Sequence, residues 1–299
     1  MTFRLTYSSK LSDNKVRELF LKNIVANKIS CNKCLGTKLL RISDTLYRCK
    51  NCWSYCSLTT GTFLERSKIS LRLWYEIIWC FVLSHSANKT KRLLGINYKE
   101  AFKVYGLIRK ALVKESRSER KKLTGTMEVD ESFYGGLFKN LRKETRWKYR
   151  YEGKAKRGRG AKYRKQPVFG IYKRNGSVYL ELITECSKEE LEKVIKKKIK
   201  KASEVFSDTF KSYNNLVGLG YIHQTVDHGM EIYVDGRVHV NGMEGFWGLS
   251  KTNMHAYKGI RKENWLLYLK EMEFRYNYRK LNFEEIVEKI IKILMSYKK

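Results

Sequence analysis

Acidic residues are in short supply in this sequence. Thirty Asp and Glu stand against 62 Lys and Arg in 299 residues, a formal net charge of +32. So large an excess of one sign repels itself unless a polyanion is the partner. Nucleic acid is the first such partner, because neutralising phosphates releases counterions; an anionic membrane is the second. Long hydrophobic runs are missing too. The longest, LWYEIIWCFVL, is interrupted by Glu76 and is too short to span a bilayer. No basic amphipathic segment leads into a span, so a membrane partner is set aside. The N-terminal MTFRLTYSSK holds no apolar signal core, which points to the cytoplasm (the bacterial nucleoid) or, in a eukaryote, the nucleus. Proline occurs once, so no proline-rich linker divides the chain.

What is present is a globular chain. A hydrophobic content of 42% and 299 residues suffice for roughly two domains with a full core. Seven cysteines in a reducing compartment point to metal rather than to a disulfide framework. Cys31 and Cys34 form one CxxC pair and Cys49 and Cys52 another, with 14 residues between the pairs. Two tight turns at this separation can offer four thiolates to one tetrahedral Zn²⁺, and the β-prone LLRIS and LYRC between them suit a zinc ribbon. Cys56 lies just beyond as a spare thiol; Cys80 and Cys186 fall on apolar segments and read as core.

Along the chain the hydrophobic period changes. A short amphipathic helix over 13–27 precedes the cysteines, and a helix is expected over 70–84. Two helical patterns around LGIN, with Gly95 in the turn, resemble a helix-turn-helix. From residue 123 strands take over: TGTMEVDESFYGG, then two β-rich runs around Asn175–Gly176, a strong hairpin signal. A helix over SKEELEKVIKKKIKK, a strand SEVFSD, a short helix, a strand YIHQTVDH and a further helix follow. That order is the order of a ribonuclease H-like α/β fold, a mixed sheet flanked by helices. The expected organisation is 1–66 N-terminal helix and zinc ribbon, 67–120 helix-turn-helix-like DNA-binding region, 121–280 catalytic domain, and 281–299 C-terminal helix. Residues 137–166 form an insertion with 13 Lys/Arg, two Asp/Glu and interleaved Trp147, Tyr149, Tyr151 and Tyr163. Cations can meet phosphates while aromatics stack on bases or sugars, so Arg157, Arg159, Lys162, Arg164 and Lys165 are candidate DNA contacts.

Asp130 and Asp208 close two strands that are neighbours in a ribonuclease H-like sheet, so their carboxylates face one site. Glu244 lies on the following helix, HVNGMEGFWGLSK. At about 100° per residue, Asn241, Glu244, Gly248 and Lys251 share one side, opposite Met243, Phe246, Trp247 and Met254. Three carboxylates suit two Mg²⁺ or Mn²⁺ ions, hard cations that accept carboxylate and phosphate oxygens. The motifs MEVDESFYGG, SDTFKSY, HVNGMEGFWGLSK and KEMEFRYNYR, behind the cysteine pairs and TTGTFLE, make the chain similar to the zinc-ribbon DDE transposases of bacterial insertion sequences and the related eukaryotic Merlin elements. The resemblance covers nearly the whole chain. It implies a catalytic Asp-Asp-Glu triad at Asp130, Asp208 and Glu244, with 35 residues between the last two. It implies that Lys251 touches transposon-end DNA. It also implies a supporting role for Asn241, because some relatives carry Asn as the third ligand. Double-stranded DNA, as transposon ends and target, becomes the expected partner, bound by a homodimer or higher oligomer.

Other polar residues carry simpler expectations. Glu128 shares a strand face with Asp130, where it either assists metal binding or is solvated, and Glu131 is expected to point the other way. His228 and His239 flank the loop before the helix and are candidates for DNA contact; Asp227 follows the wrong strand for the triad. Two other functions compete. A transposase-derived DNA-binding regulator would need no triad. A ribonuclease H-like nuclease or resolvase leaves the ribbon and the helix pair unexplained.

Overall fold

The computed structural model describes residues 11–25, 30–31, 33–43, 45–57, 59–60, 62–65, 67–119, 121–136, 138–153, 165–226, 239–257 and 259–297. The chain forms two compact units, one of residues 1–118 with 280–299 and the other of residues 119–279.

The first unit begins with α1 (Asp13–Val25) and a three-stranded antiparallel meander, β1 (Leu39–Arg41), β2 (Leu46–Cys49) and β3 (Tyr55–Ser57). α2 (Leu71–Val82) starts at Ser70, whose hydroxyl accepts from the Leu73 N–H, and buries Trp74, Ile77, Ile78, Trp79 and Phe81. α3 (Ala87–Leu94) is capped the same way by Ser86 and stops at Gly95, which takes a left-handed φ of 66°. α4 (Tyr98–Ser118) follows, and the Thr90 and Tyr105 hydroxyls bond at 2.7 Å between the two helices. The C-terminal helix (Phe283–Ser296) opens with a capping box between Asn282 and Glu285. It buries Val287, Ile290, Ile291 and Leu294 and packs on α1, α2 and α4. It therefore completes the N-terminal helical unit, although the whole of the second unit lies between them in sequence.

The second unit is a three-layer arrangement. Its strands are β4 (Thr126–Tyr134), β5 (Gln166–Lys173), β6 (Val178–Leu182), β7 (Glu204–Asp208) and β8 (Ile222–Val226). They form one mixed sheet in the order β6-β5-β4-β7-β8. β4 runs antiparallel to β5 and parallel to β7, and β7 runs parallel to β8. The expected hairpin joins β5 to β6, with Asn175 supplying the positive φ of 57°. α5 (Lys143–Tyr151) lies inside the basic insertion, which carried little periodic signal. α6 (Lys188–Lys198), α7 (Asn241–His255) and α8 (Trp265–Asn277) complete the set.

Strand alternation sends Met127, Val129, Phe169, Ile171 and Val205 to one face, where they pack with Leu191 and Ile195 of α6. The other face carries Val168 and Leu180 against Met243, Phe246 and Trp247 of α7 and Leu269 and Met272 of α8. Asp130 and Asp208 have the parity of this second face. α7 lies so close to the sheet that two positions admit no side chain. A Cβ on Gly170 would sit 2.2 Å from Met243 Cε, and one on Gly242 would sit 2.1 Å from a Tyr172 ring carbon. This close approach sets where the polar side of α7 emerges.

Candidate metal centre and active site

The four cysteines converge. Among the described residues, Cys31, Cys34, Cys49 and Cys52 form a group whose sulfurs all lie within 4.8 Å of one another. Cys31 and Cys52 are 3.5 Å apart, as are Cys34 and Cys49. Tetrahedral Zn–S bonds of about 2.3 Å put sulfurs about 3.8 Å apart, so the donor set fits structural zinc. The backbone prepares the thiolates: Lys33 N–H donates to Cys31 Sγ and Asn51 N–H to Cys49 Sγ, both at 3.4 Å. Backbone N–H groups of Cys34 and Lys33 lower the Cys31 pKa to about 6. Cys56 packs against this cluster without joining the converging four. Cys80 is buried in α2, as a core residue should be, but Cys186 lines the cleft described next.

The three carboxylates named from the sequence line one cleft of about 1010 Å³ in the second unit. Asp130 and Asp208 come from adjacent parallel strands. The register pairs Glu128 with Phe206, and its continuation sets Asp130 level with Asp208. Glu244 reaches the cleft from the first turn of α7, and Lys251 joins it two turns further on. Lys165, at the foot of β5, completes the polar wall. On α7, Met243, Phe246, Trp247 and Met254 are buried while Asn241, Glu244, Gly248 and Lys251 are exposed, the division expected from the helical period.

Neighbouring groups hold these carboxylates in place. Trp247 Nε1 donates to Asp130 Oδ2 at 3.0 Å, and the Phe210 N–H donates to Asp208 Oδ1 at 3.1 Å. Burial raises the Asp130 pKa to about 6, with Asp208 and Glu244 adding to the rise and the Trp247 bond opposing it. Lys251 is lowered by desolvation; Asp130 opposes the shift and Lys165 adds to it. The carboxylates are an open arrangement, not gathered as the cysteine sulfurs are.

Two acidic neighbours differ from expectation. Glu128 is neither solvated nor in the cleft. It is fully buried, accepting from Arg174 Nε at 2.8 Å and from the Met243 N–H at 3.0 Å. It thus shares the Met243 N–H, in the first turn of α7, with the Val240 carbonyl, which accepts from it at 3.0 Å. β4 does not close at Asp130 but runs on to Tyr134, while its neighbour β7 stops at Asp208; Glu131 lines the cleft beyond that stop, and Tyr213 donates a hydrogen bond to its carboxylate. Burial raises Glu131 to about 8, reinforced by Asp130 and Asp208. No local signal announces the Glu131–Tyr213 pair, whose members are 82 residues apart.

His239 sits with Glu128 rather than among the cleft residues. Its carbonyl accepts from Arg174 Nη2 at 2.8 Å, and its Nδ1 lies 3.4 Å from Glu128 Oε1. Asn241 opens α7 on the exposed side and is not among the cleft-lining residues. Arg157, Arg159, Lys162, Tyr163, Arg164, Asp227 and His228 lie outside the described residues.

Residues 122–277 match the ISXO2-like transposase domain. The chain belongs to this transposase family. Asp130, Asp208, Glu244 and Lys251 all fall within the matched segment, whereas the cysteine cluster precedes it. Similarity extends further in one relative, an uncharacterized protein in transposable element ISH50 of Halobacterium salinarum. The two are 24% identical over 273 residues, covering 89% of this chain and 91% of the relative. A transposase-like protein of Haemophilus influenzae is 30% identical over 116 residues, 38% of this chain and 94% of its own length. The family agrees with the resemblance carried by the sequence motifs, and makes this a protein of mobile elements. No described helix is long and apolar enough to cross a membrane.

Proposed function

We propose that the protein is a DNA transposase that binds element ends and catalyses metal-dependent phosphodiester hydrolysis and strand transfer. Its second unit would act as a ribonuclease H-like catalytic domain. The observation that carries this reading is the meeting of Asp130, Asp208 and Glu244 in one cleft with Lys251 and Lys165, in a chain of a transposase family. Carboxylate oxygens are the donors that Mg²⁺ or Mn²⁺ takes. Burial is the main cause of the upward shift of Asp130, and the Asp208 and Glu244 carboxylates add to it, a crowding of negative charge that a divalent cation would relieve. Asp130, Asp208 and Glu244 would hold such ions, whose chemistry when bound would be activation of an attacking water or 3′-hydroxyl and neutralisation of the leaving oxygen.

The chain's own side chains have separable tasks. Asp130, held by Trp247, and Asp208, held by the Phe210 N–H, would present oxygens from the rigid sheet. Glu244 would supply the third carboxylate from α7. Lys251 and Lys165 would hold a phosphate of the element end, Lys251 on the side of α7 that carries Glu244. In the first unit, α3 and α4 serve as a helix-turn-helix, with exposed Lys91, Arg92, Lys99 and Lys103 towards the DNA backbone. α5 adds exposed Trp147, Lys148, Arg150 and Tyr151, and the protein acts on DNA as a dimer or higher oligomer.

The test is cleavage and joining of element-end DNA in Mg²⁺ or Mn²⁺. Asp130→Ala, Asp208→Ala and Glu244→Ala should each reduce both steps by more than about a hundredfold while retaining end binding in a mobility-shift assay. Robust cleavage by any of the three removes that residue from the triad. A wild-type protein that binds ends and never cleaves them under either metal is a DNA-binding protein instead.

A further inference from the structure

The cysteine-held sheet has two unlike faces. Leu39, Cys49 and Cys56 pack with Cys31 and Cys52 on one side. The other side carries Leu40, Arg48 and Tyr55, a single cross-strand row fixed by the pairings Leu40↔Arg48 and Arg48↔Tyr55. Among the described residues the ends of this row stay open: Leu40 is 43% exposed, Tyr55 63%, and Ile42 on the same face 53%. The Arg48 guanidinium lies 5.0 Å from the centre of the Trp53 ring and 5.6 Å from that of Tyr55. Its Nε donates to the Trp53 carbonyl at 3.4 Å. Trp53, Arg48 and Tyr55 therefore form one aromatic–cation–aromatic cluster open to solvent.

Trp53 is also costly where it stands. It follows the second cysteine of its CxxC pair with φ 60°, and Leu35 follows the other pair with φ 58°. Glycine is the low-cost residue in that left-handed region. Instead both positions hold large apolar side chains that are 58% and 76% exposed. Arg48 covers part of the Trp53 ring, and among the described residues both side chains stay more than half exposed, surface open to a contact outside the chain. Charge identifies that contact. From Cys31 to Ser57 the sequence carries Lys33, Lys38, Arg41, Arg48 and Lys50 against a single acidic residue, Asp44.

We propose that this face of the ribbon binds unpaired nucleotides of DNA, with bases stacked on Trp53 and Tyr55 and phosphates at Lys38, Arg48 and Lys50. Ring faces on a sheet gain stacking from bases that have left a duplex, because paired bases are already stacked on each other. The site goes beyond the catalytic reading and does not need it, since its residues belong to the first unit and its readout is binding alone.

The experiment uses the full-length, zinc-loaded protein and fluorescence anisotropy, comparing a labelled oligo-dT of about 12 nucleotides with a hairpin duplex of similar length. Trp53→Gly and Tyr55→Ala should each weaken single-strand binding about tenfold and leave duplex binding within about twofold. Trp53→Gly should at the same time slow the loss of zinc to a chelator, because it relieves the left-handed backbone. Trp53→Phe keeps a ring face and should hold single-strand affinity within about threefold. Unchanged single-strand affinity in Trp53→Gly and Tyr55→Ala overturns the proposal. So does an equal loss on duplex, or a Trp53→Phe variant as weak as Trp53→Gly. Repeating the titration in an Asp130→Ala background separates the two readings, because this binding needs no cleavage.

Discussion

The cysteine centre and the carboxylate cleft are opposite ways of gathering ligands. Cys31 to Cys52 span 22 residues, whereas Asp130 to Glu244 span 115. The cysteines sit on two tight turns of a small meander, their sulfurs already together and tied to backbone N–H groups. The carboxylates come from two strands and a helix and face an open cleft. A closed set of four thiolates leaves no place for a substrate and suits a structural ion; a set with open positions suits chemistry. The difference teaches where each site takes its stability. The meander has a small core made largely of its own cysteines, so an ion held by them would supply much of its stability. The cleft is held by a sheet with two packed faces, so ions bound there would need only to be positioned.

The widest separation between the two is expected on removing one cysteine. Cys49→Ser should abolish zinc binding and unfold the meander, since structural zinc supplies an apparent 10–16 kcal/mol, roughly, to such small modules. The unit of residues 119–279 should keep its own melting transition. Zinc analysis combined with limited proteolysis reads both. A Cys49→Ser protein with a full equivalent of zinc breaks the contrast, because the ion would then be held elsewhere.

The second prediction asks how the cleft is held without metal. Glu128 is buried on the α7 side of the sheet, between Arg174 and the Met243 N–H. Glu128→Ala leaves the half-buried Arg174 guanidinium without its main carboxylate and frees the first turn of α7. Breaking a buried ion pair costs on the order of 3–5 kcal/mol. Chemical denaturation in the absence of divalent ions should show a loss of this order, with less loss in Glu128→Gln, which keeps an acceptor for Met243. Equal stability of Glu128→Ala and wild type would mean that α7 is placed by its apolar face alone.

These two cases also show what local sequence can reveal. The cysteine pairs are legible because a CxxC turn is a local device, and the caps at Ser70 and Ser86, the stop at Gly95 and the buried stripe of α7 are local too. The hairpin at Asn175–Gly176 is announced by its turn residues. The placement of Asp130, Asp208 and Glu244 needed a fold order and a family likeness, since no short-range pattern links them. What escaped was non-local. Glu128 and Asp130 share strand parity, yet Arg174 and the start of α7 bury one while the other opens on the cleft. Glu131 has the opposite parity and still reaches the cleft, beyond the point where the neighbouring β7 stops, with Tyr213 bonded to its carboxylate. The C-terminal helix shows its amphipathic period but not that its partners are α1, α2 and α4.

Lys251 sharpens the comparison at the level of rate. It stands two turns from Glu244 on the same side of α7, within the cleft but beyond the three carboxylates. An ammonium there is a point charge for a phosphate and not a metal ligand. Lys251→Ala should therefore leave the fold, the zinc and the divalent-ion requirement unchanged. Single-turnover cleavage of element ends at saturating protein should fall about a hundredfold, the cost of misplacing reacting atoms by about 1 Å. Equal rates would reduce Lys251 to part of the general basic surface.

The smallest expected effect is a shift in melting temperature, and its sign follows from protons. Burial, with neighbouring carboxylates adding, raises Asp130 from 3.8 to about 6 and Glu131 from 4.5 to about 8. Between the ordinary and the raised values the folded state holds more protons than the unfolded state. Without divalent ions, the contribution of these two groups to stability is therefore fullest below about pH 4 and falls as pH rises through 6 and towards 8. A divalent cation needs the ionised carboxylates and competes with those protons. Its stabilisation should be nearly absent at pH 5 and grow towards pH 8. At ten times its dissociation constant the ion contributes about 1.4 kcal/mol, or roughly 3–6 °C for a unit of this size. Differential scanning fluorimetry with Mg²⁺ or Mn²⁺ at pH 5 and pH 8 measures it. Asp130→Asn should reduce the cation effect and leave only the pH dependence that Glu131 carries, and Cys49→Ser should leave the effect intact in the second unit's transition. A cation effect of equal size at both pH values, or one that survives undiminished in Asp130→Asn, would place the ion outside the cleft and remove the basis for contrasting the two centres.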